Sequence, residues 1–132
     1  MQTFLPYPDF TASAQCLDYK RLGKQRVECR QILNALEGRS RGWVNHPATR
    51  MWADHIDALK LYYNIVSEEW ISRGYRHNIG FYEVGCDVDL PSWLGDGRFH
   101  LSHQSNLVRK SPAHYRQHCP DVPNDLPYVW PV

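Results

Sequence analysis

The sequence lacks the features that mark membrane, secreted and metal-scaffold proteins. No apolar run approaches the ~18–20 residues that cross a bilayer, and the first ten residues contain neither the basic nor the apolar part of a secretory signal. Its four cysteines lie far apart and form no CxxC pair, which is typical of reduced thiols rather than of disulfides or a zinc knuckle. We therefore expect a cytoplasmic protein with no membrane partner.

Internal repeats and low-complexity stretches are also missing. The chain has 132 residues, of which 42% are hydrophobic and 22% charged, and these values lie within the ordinary globular range. A typical domain has ~100–150 residues. The sequence therefore predicts one domain over residues 1–132, with its own core, and a monomeric protein.

The small net charge of +1 hides an uneven distribution along the chain. Residues 1–50 carry eight Lys and Arg against four acidic residues, whereas residues 51–100 carry four against eight. The whole molecule is not basic enough to bind nucleic acid by bulk charge alone. We therefore expect any polyanion site in the first third, with help from the last third.

Hydrophobic periodicity predicts three main helices joined by long loops, and hence the all-α class. The first is expected from Ala12 to Leu36 and the third from Arg98 to Lys110. The second begins at Pro47 and ends at Gly74, either as one long helix or as a short helix followed by a long one.

Local signals refine the helix ends. Thr11 or Ser13 is expected to cap the first helix, and Gly38 to end it. Ser111-Pro112 opens a further short helical turn. Four prolines among the last fourteen residues exclude a helical tail, whose larger side chains are expected to pack across the helices: Tyr128, Val129 and Trp130.

One carboxylate on the first helix stands among cations. Glu28 lies seven residues after Arg21 and four after Lys24, so the three share one line at the border of the apolar stripe. The simpler interpretation is an intrahelical ion pair worth ~0.3–0.5 kcal/mol. The alternative is a functional carboxylate held in place at the edge of the core.

Basic residues around that helix and the third helix form the candidate DNA-binding set. Part of this set must face solvent whatever the function, but few acidic residues lie nearby to neutralise it. Gln and Asn on the third helix suit base edges, while Arg and Lys suit phosphates. The predicted contacts are Lys20, Lys24, Arg26, Arg30, Arg39, Arg41, His103, Gln104, Arg109 and Lys110.

A histidine pair and three tryptophans each have a functional and a simpler structural interpretation. His100 and His103 have a spacing that suits metal binding, but no third ligand with convincing spacing is evident, so we predict neither a metal nor a cofactor. Trp43, Trp93 and Trp130 lie in predicted loops. Each either anchors its loop, as aromatic residues usually do, or is available to stack on a base.

Four stretches together resemble the pyrimidine-dimer DNA glycosylase family, with most similarity to a phage and bacterial branch: LDYKRLGKQRVECRQIL, GWVNHPATRMW, a long helix ending in RGY, and HLSHQSNLVRKSPAHY. The resemblance covers about residues 10–120. It implies an all-α domain that grips duplex DNA, cleaves the glycosidic bond of the 5′ base of the dimer and then nicks the abasic site. It also implies a bacterial cell or a phage-infected host.

The resemblance also implies the chemistry. The nucleophile is the α-amine of the N-terminus, which forms a Schiff base with the sugar, and the essential glutamate falls on Glu28. The family often has Arg immediately before that Glu, where this chain has Val27, and the large Gln2 favours retention of Met1. The predicted catalytic residues are Met1, Gln2, Arg21 and Glu28.

Other functions remain open at this point. The same fold could act on a modified base in phage or bacterial DNA, or the chain could be a DNA-binding module without catalysis. A small helical metal protein that uses His100 and His103 is the one alternative outside nucleic acids.

Overall fold

The computed structural model describes all 132 residues, which form six helices and no strand. This confirms the all-α class. The six helices are α1 Phe10–Cys16, α2 Tyr19–Leu36, α3 Pro47–Arg50, α4 Ile56–Ser72, α5 Gly97–Lys110 and α6 Pro112–Tyr115. Three of them, α2, α4 and α5, are long, which confirms the three main helices.

The prediction of one continuous first helix is wrong, because the chain leaves helical geometry at Leu17 and Asp18. The predicted caps are also wrong: Asp9 caps α1, with its carboxylate accepting from the amides of Thr11 and Ala12. The predicted end is confirmed, since α2 stops at Leu36 and Gly38 follows in the left-handed region, with a φ of 76°.

Tertiary partners explain the break between α1 and α2. Arg73 donates to the last carbonyls of α1, and His114 Nε2 donates to the carbonyl of Cys16 over 2.8 Å. The amide of Asp18 donates to the hydroxyl of Tyr115 over 3.0 Å. Backbone groups that would have bonded along a continuous helix are satisfied by side chains that come from other helices.

The second helical region is a short helix followed by a long one. His46 caps α3 by accepting the amide of Ala48 at Nδ1 over 3.0 Å, and Pro47 takes the first helical position. The chain then turns through Trp52 before α4 begins. Gly74, with a φ of 92°, follows the end of α4.

The α2–α4 pair forms the main contact between long helices, and it brings Gly23 against Trp70. A Cβ atom at position 23 would lie 2.8 Å from two carbons of the Trp70 ring. That ring is held from other sides by stacking on Tyr75 at 4.2 Å and by the guanidinium of Arg26 at 4.6 Å. Glycine at position 23 therefore lowers the helix propensity of α2, but it lets the α2 backbone lie close to the Trp70 ring.

Residues 73–96 are irregular, and side chains of α4 fasten them. Asn64 donates to the carbonyl of Tyr82 and accepts its amide, while the Tyr63 hydroxyl donates to Gly80. The tail after α6 is also irregular and runs across α5, where Ser102 accepts the amide of Val129. No helix combines the length and apolar character needed to cross a membrane.

The contact between Gly23 and Trp70 generates a stability prediction. Gly23→Ala should lower the free energy of unfolding by about 1–2 kcal/mol, because overpacking outweighs the gain in helix propensity. Urea unfolding measures the change. Gln31→Ala, at an exposed position of the same helix, is the control and should alter stability by less than about 0.5 kcal/mol. A Gly23→Ala protein more stable than wild type would contradict the packing argument.

Candidate active site

The N-terminal segment, residues 2–6, runs through the interior without a neighbouring strand. All five of its residues are buried. A buried backbone needs partners for its amides and carbonyls, and without a sheet these must come from side chains.

Gln25 of α2 takes the place of a neighbouring strand. Its Oε1 accepts the amide of Phe4 over 2.7 Å, and its Nε2 donates to the carbonyl of Gln2 over 2.9 Å. From α4, the hydroxyl of Tyr62 donates to the carbonyl of Phe4. Trp52 Nε1 donates to the hydroxyl of Thr3 over 2.9 Å. The segment is thus held from the α2 and α4 sides.

Side chains of α5 hold the other end of the segment. His103 Nδ1 accepts the amide of Leu5 over 2.9 Å, and His100 Nδ1 donates to the carbonyl of Leu5 over 2.7 Å. Gln104 Nε2 donates to the carbonyl of Pro6 over 2.7 Å. His103 is fully buried, which is incompatible with the predicted DNA contact. Gln104 likewise gives its amide to the protein backbone.

These bonds bring the N-terminus to Glu28. The amide of Gln2 donates to Glu28 Oε2 over 3.4 Å, and the α-amine of Met1 is three covalent bonds from that amide nitrogen. The other carboxylate oxygen of Glu28 lies 3.8 Å from Lys24 Nζ. The Glu28 side chain is only 13% exposed, whereas that of Lys24 is 74% exposed. A shielded carboxylate therefore stands between the N-terminus and an open cation.

A pocket of about 380 Å³ opens at this point. It combines an amine, a carboxylate, four cationic side chains and two aromatic rings, and the residues that line it are Met1, Gln2, Phe4, Lys20, Arg21, Lys24, Glu28, Lys110 and Tyr128. Asp18, at the start of α2, orients Arg21 through a contact of 3.2 Å. Burial opposes ionisation of Asp18, but hydrogen bonds from Tyr115 and Arg21 outweigh it and lower its pKa.

His46 beside the pocket and Tyr128 in its lining have altered pKa values. Burial lowers the pKa of His46, and the positive charge of the Met1 amine lowers it further against the opposing effect of Glu28. Burial raises the pKa of Tyr128, while Arg109 and Arg21 act in the opposite direction. Both side chains therefore feel the charges of the pocket, and both keep their neutral forms near neutral pH.

The structure brings together only part of the predicted site. The four predicted catalytic residues and three of the predicted DNA contacts line one pocket, and those three are Lys20, Lys24 and Lys110. Arg26 and Arg30 point instead to the loop after α4, where Arg30 donates to the carbonyl of Ile79 over 2.8 Å and Arg26 lies 2.8 Å from His77 Nδ1. Arg39, Arg41 and Arg109 are exposed outside the pocket.

Sequence reasoning missed three residues of the site. Gln25 is a polar residue among the buried residues of α2. A polar side chain at a buried position needs hydrogen-bond partners, and this is the sequence signal that could have identified it. His46 precedes the proline that begins α3, and nothing local in the sequence connects it with the N-terminus. The sequence predicts that Tyr128 packs across the helices, and nothing local connects it with Glu28.

The fold and the pocket define an all-α protein that presents an amine and a carboxylate together inside a cation-lined cavity. The model of the pyrimidine dimer DNA glycosylase family matches residues 1–83, and the chain belongs to this family. No curated protein and no solved structure matches the chain. The family match ends in the loop after α4, so α5, α6 and the tail lie beyond it.

Burial of His103 generates a prediction about pH. Burial lowers its pKa from 6.5 to about 3, so below about pH 6.5 the unfolded chain binds a proton that the folded protein excludes. The contribution of His103 therefore leaves the free energy of unfolding undiminished above about pH 6.5. As the pH drops towards 3, this contribution lowers the free energy of unfolding by at most about 1.4 kcal/mol per pH unit.

His103→Asn tests this prediction, because the Asn Oδ1 can still accept the Leu5 amide but does not titrate. Denaturant unfolding of both proteins between about pH 7 and pH 4.5 should give a flatter curve for the variant. Other titrating groups affect both proteins equally. Parallel stability curves would show that His103 is not the source of the pH dependence.

Proposed function

We propose that this protein cleaves the glycosidic bond of the 5′ base of a pyrimidine dimer in duplex DNA and then cleaves the strand at the resulting abasic site, using the Met1 α-amine and Glu28. The proposal rests on one observation: the hydrogen bond from the Gln2 amide to Glu28, which brings the N-terminus and a shielded carboxylate into one pocket. Ordinary α-amines have pKa values of ~7.7–8.0, against ~10.4 for lysine, so they supply more neutral nucleophile at neutral pH.

The first step is attack of the neutral amine on C1′ of the sugar. The N–C1′ bond forms as the glycosidic bond of the 5′ base breaks, the electron pair of that bond goes to the base, and the base takes a proton from water while it stays joined to the other pyrimidine of the dimer. Glu28 stabilises the cationic sugar and takes a proton from the amine. The sugar ring then opens as O4′ takes that proton from Glu28, which leaves a protonated Schiff base between Met1 and C1′ and restores the carboxylate.

The second step is elimination from that Schiff base. Removal of a C2′ proton by Glu28 creates a conjugated imine and breaks the C3′–O bond, so the 3′ phosphate leaves with the electron pair. Water then hydrolyses the imine and releases the amine. Glu28 can serve both steps without moving, because the two atoms that give up a proton, the amine nitrogen and C2′, are both bonded to C1′.

The remaining lining of the pocket fits a nucleotide. Phosphates carry the charge that Lys20, Lys24 and Lys110 complement, and the rings of Phe4 and Tyr128 offer apolar surface to a base. A base must leave the duplex to reach such a pocket, and it does so most easily at a lesion where stacking is already disturbed.

Glu28→Gln tests the chemistry. The variant keeps a side-chain oxygen for the Gln2 amide, so the fold and DNA binding should remain, while strand cleavage of dimer-containing duplex should fall roughly 10²–10⁴-fold. Borohydride reduction on abasic-site DNA, followed by mass spectrometry, should locate the trapped sugar on the N-terminal peptide of the wild-type protein. Acetylation of the α-amine should abolish trapping, because an amide cannot form a Schiff base.

Glu37→Gln is the matched control, since Glu37 is also a partly exposed carboxylate on the α2 side and pairs with Lys60 outside the pocket. It should cleave at the wild-type rate. Cleavage by Glu28→Gln at the wild-type rate would make Glu28 an ion-pair residue only. Absence of any trapped N-terminal peptide would favour a DNA-binding module without catalysis.

The two ends of α5 provide a test of phosphate binding. Lys110 lines the pocket, whereas Arg98 is an exposed cation about 18 Å away along the helix axis, at 1.5 Å per residue. Lys110→Ala should reduce the steepness of the log–log dependence of affinity on salt by about 0.9 for one lost phosphate contact. Arg98→Ala should leave it unchanged. Equal slopes for both variants and wild type would show that Lys110 does not contact a DNA phosphate.

A further inference from the structure

Trp43 differs from the other tryptophans in exposure and in backbone geometry. The indole nitrogens of Trp52, Trp70 and Trp93 all donate hydrogen bonds within the protein. Trp43 and Trp130 make no such bond, and of these two Trp43 is 53% exposed whereas Trp130 is partly buried. Trp43 is also the one non-glycine residue with a positive φ, 67°, a region that bulky side chains rarely adopt.

This strained residue is continuous with the pocket. The ring of Trp43 meets that of His46 edge to face at 5.5 Å, and His46 meets Trp130 at 5.8 Å. Trp130 lies 5.5 Å from Tyr128, which lines the pocket. We call these four residues the aromatic rim: Trp43, His46, Trp130 and Tyr128. Its inner end, Tyr128, lines the same pocket as Glu28, and its outer end is the exposed Trp43.

The surroundings of Trp43 carry positive charge. Arg39 and Arg41 lie in the same loop, both are exposed, and neither forms an ion pair. Free arginines beside an exposed indole are suited to a ligand that offers a flat aromatic face and a phosphate within a few residues' reach. A second copy of this chain offers no matching negative surface at the equivalent position, since symmetry would set these arginines against each other.

We propose that Trp43 stacks on a nucleobase of duplex DNA at the step where the damaged nucleotide leaves the helix, and that its left-handed backbone is retained to aim the indole. The ligand is a base exposed by loss of its stacking neighbour. This inference rests on the proposed function for the identity of the ligand as DNA, but it requires no chemistry at Met1 or Glu28.

Binding to a duplex with a tetrahydrofuran abasic analogue tests the inference, because this analogue has no aldehyde and cannot form a Schiff base. Fluorescence anisotropy should show that Trp43→Gly binds this duplex about tenfold more weakly than wild type, with a much smaller loss on intact duplex. Trp43→Phe should restore most of the affinity. Phe81→Ala, which removes an aromatic residue that is 50% exposed and absent from the rim, should bind like wild type.

Thermal unfolding separates recognition from a structural role. Glycine adopts a positive φ without strain, so Trp43→Gly should unfold at a temperature no lower than wild type while it loses DNA affinity. The inference is overturned if Trp43→Gly binds the abasic duplex like wild type, if it loses affinity equally for both duplexes, or if it changes the sedimentation of the protein instead of DNA binding. Failure of borohydride trapping in wild type would reject the chemistry at Met1 and leave these binding results intact.

Discussion

The site depends on how the protein satisfies a buried backbone that has no sheet to pair with. Each buried amide or carbonyl left without a partner would cost ~1–3 kcal/mol, so the N-terminal segment can lie inside only if side chains supply its hydrogen bonds. Three helices do so, and the chain uses polar residues at interior positions for that purpose: Gln25, Tyr62, His100, His103 and Gln104. The Gln2 amide, and with it the attachment point of Met1, is held beside Glu28 by a segment that this set of bonds fixes.

The same arrangement explains why Glu28 and its cations are poorly suited to stabilising the fold. The contact with Lys24 is long, and its lysine side is open to water, so it contributes at most about 1 kcal/mol. The charges are instead directed into a pocket where a carboxylate is shielded and the cations are accessible. A polyanionic ligand would gain favourable electrostatic energy from these cations, whereas the folded protein alone gains little from them.

The two parts of the chain contribute differently to the site. Residues 1–83, which the family model matches, contain the amine, the carboxylate and the basic face of α2. The part beyond the match holds the N-terminal segment through His100 and His103 and closes the pocket with Lys110 and Tyr128. The second part therefore helps to position the residues of the first part that line the pocket.

Local patterns in the sequence determined the all-α class, the three long helices, the helix end before Gly38 and the line from Arg21 to Glu28, because periodicity and turn chemistry act over only a few residues. The tertiary structure alone decided the break at Asp18 and the burial of His103. Their partners, Tyr115 and Leu5, lie 97 and 98 residues away along the chain. A hydrogen bond over such a separation leaves no periodic trace, because it depends on how the helices pack and not on the residues beside it.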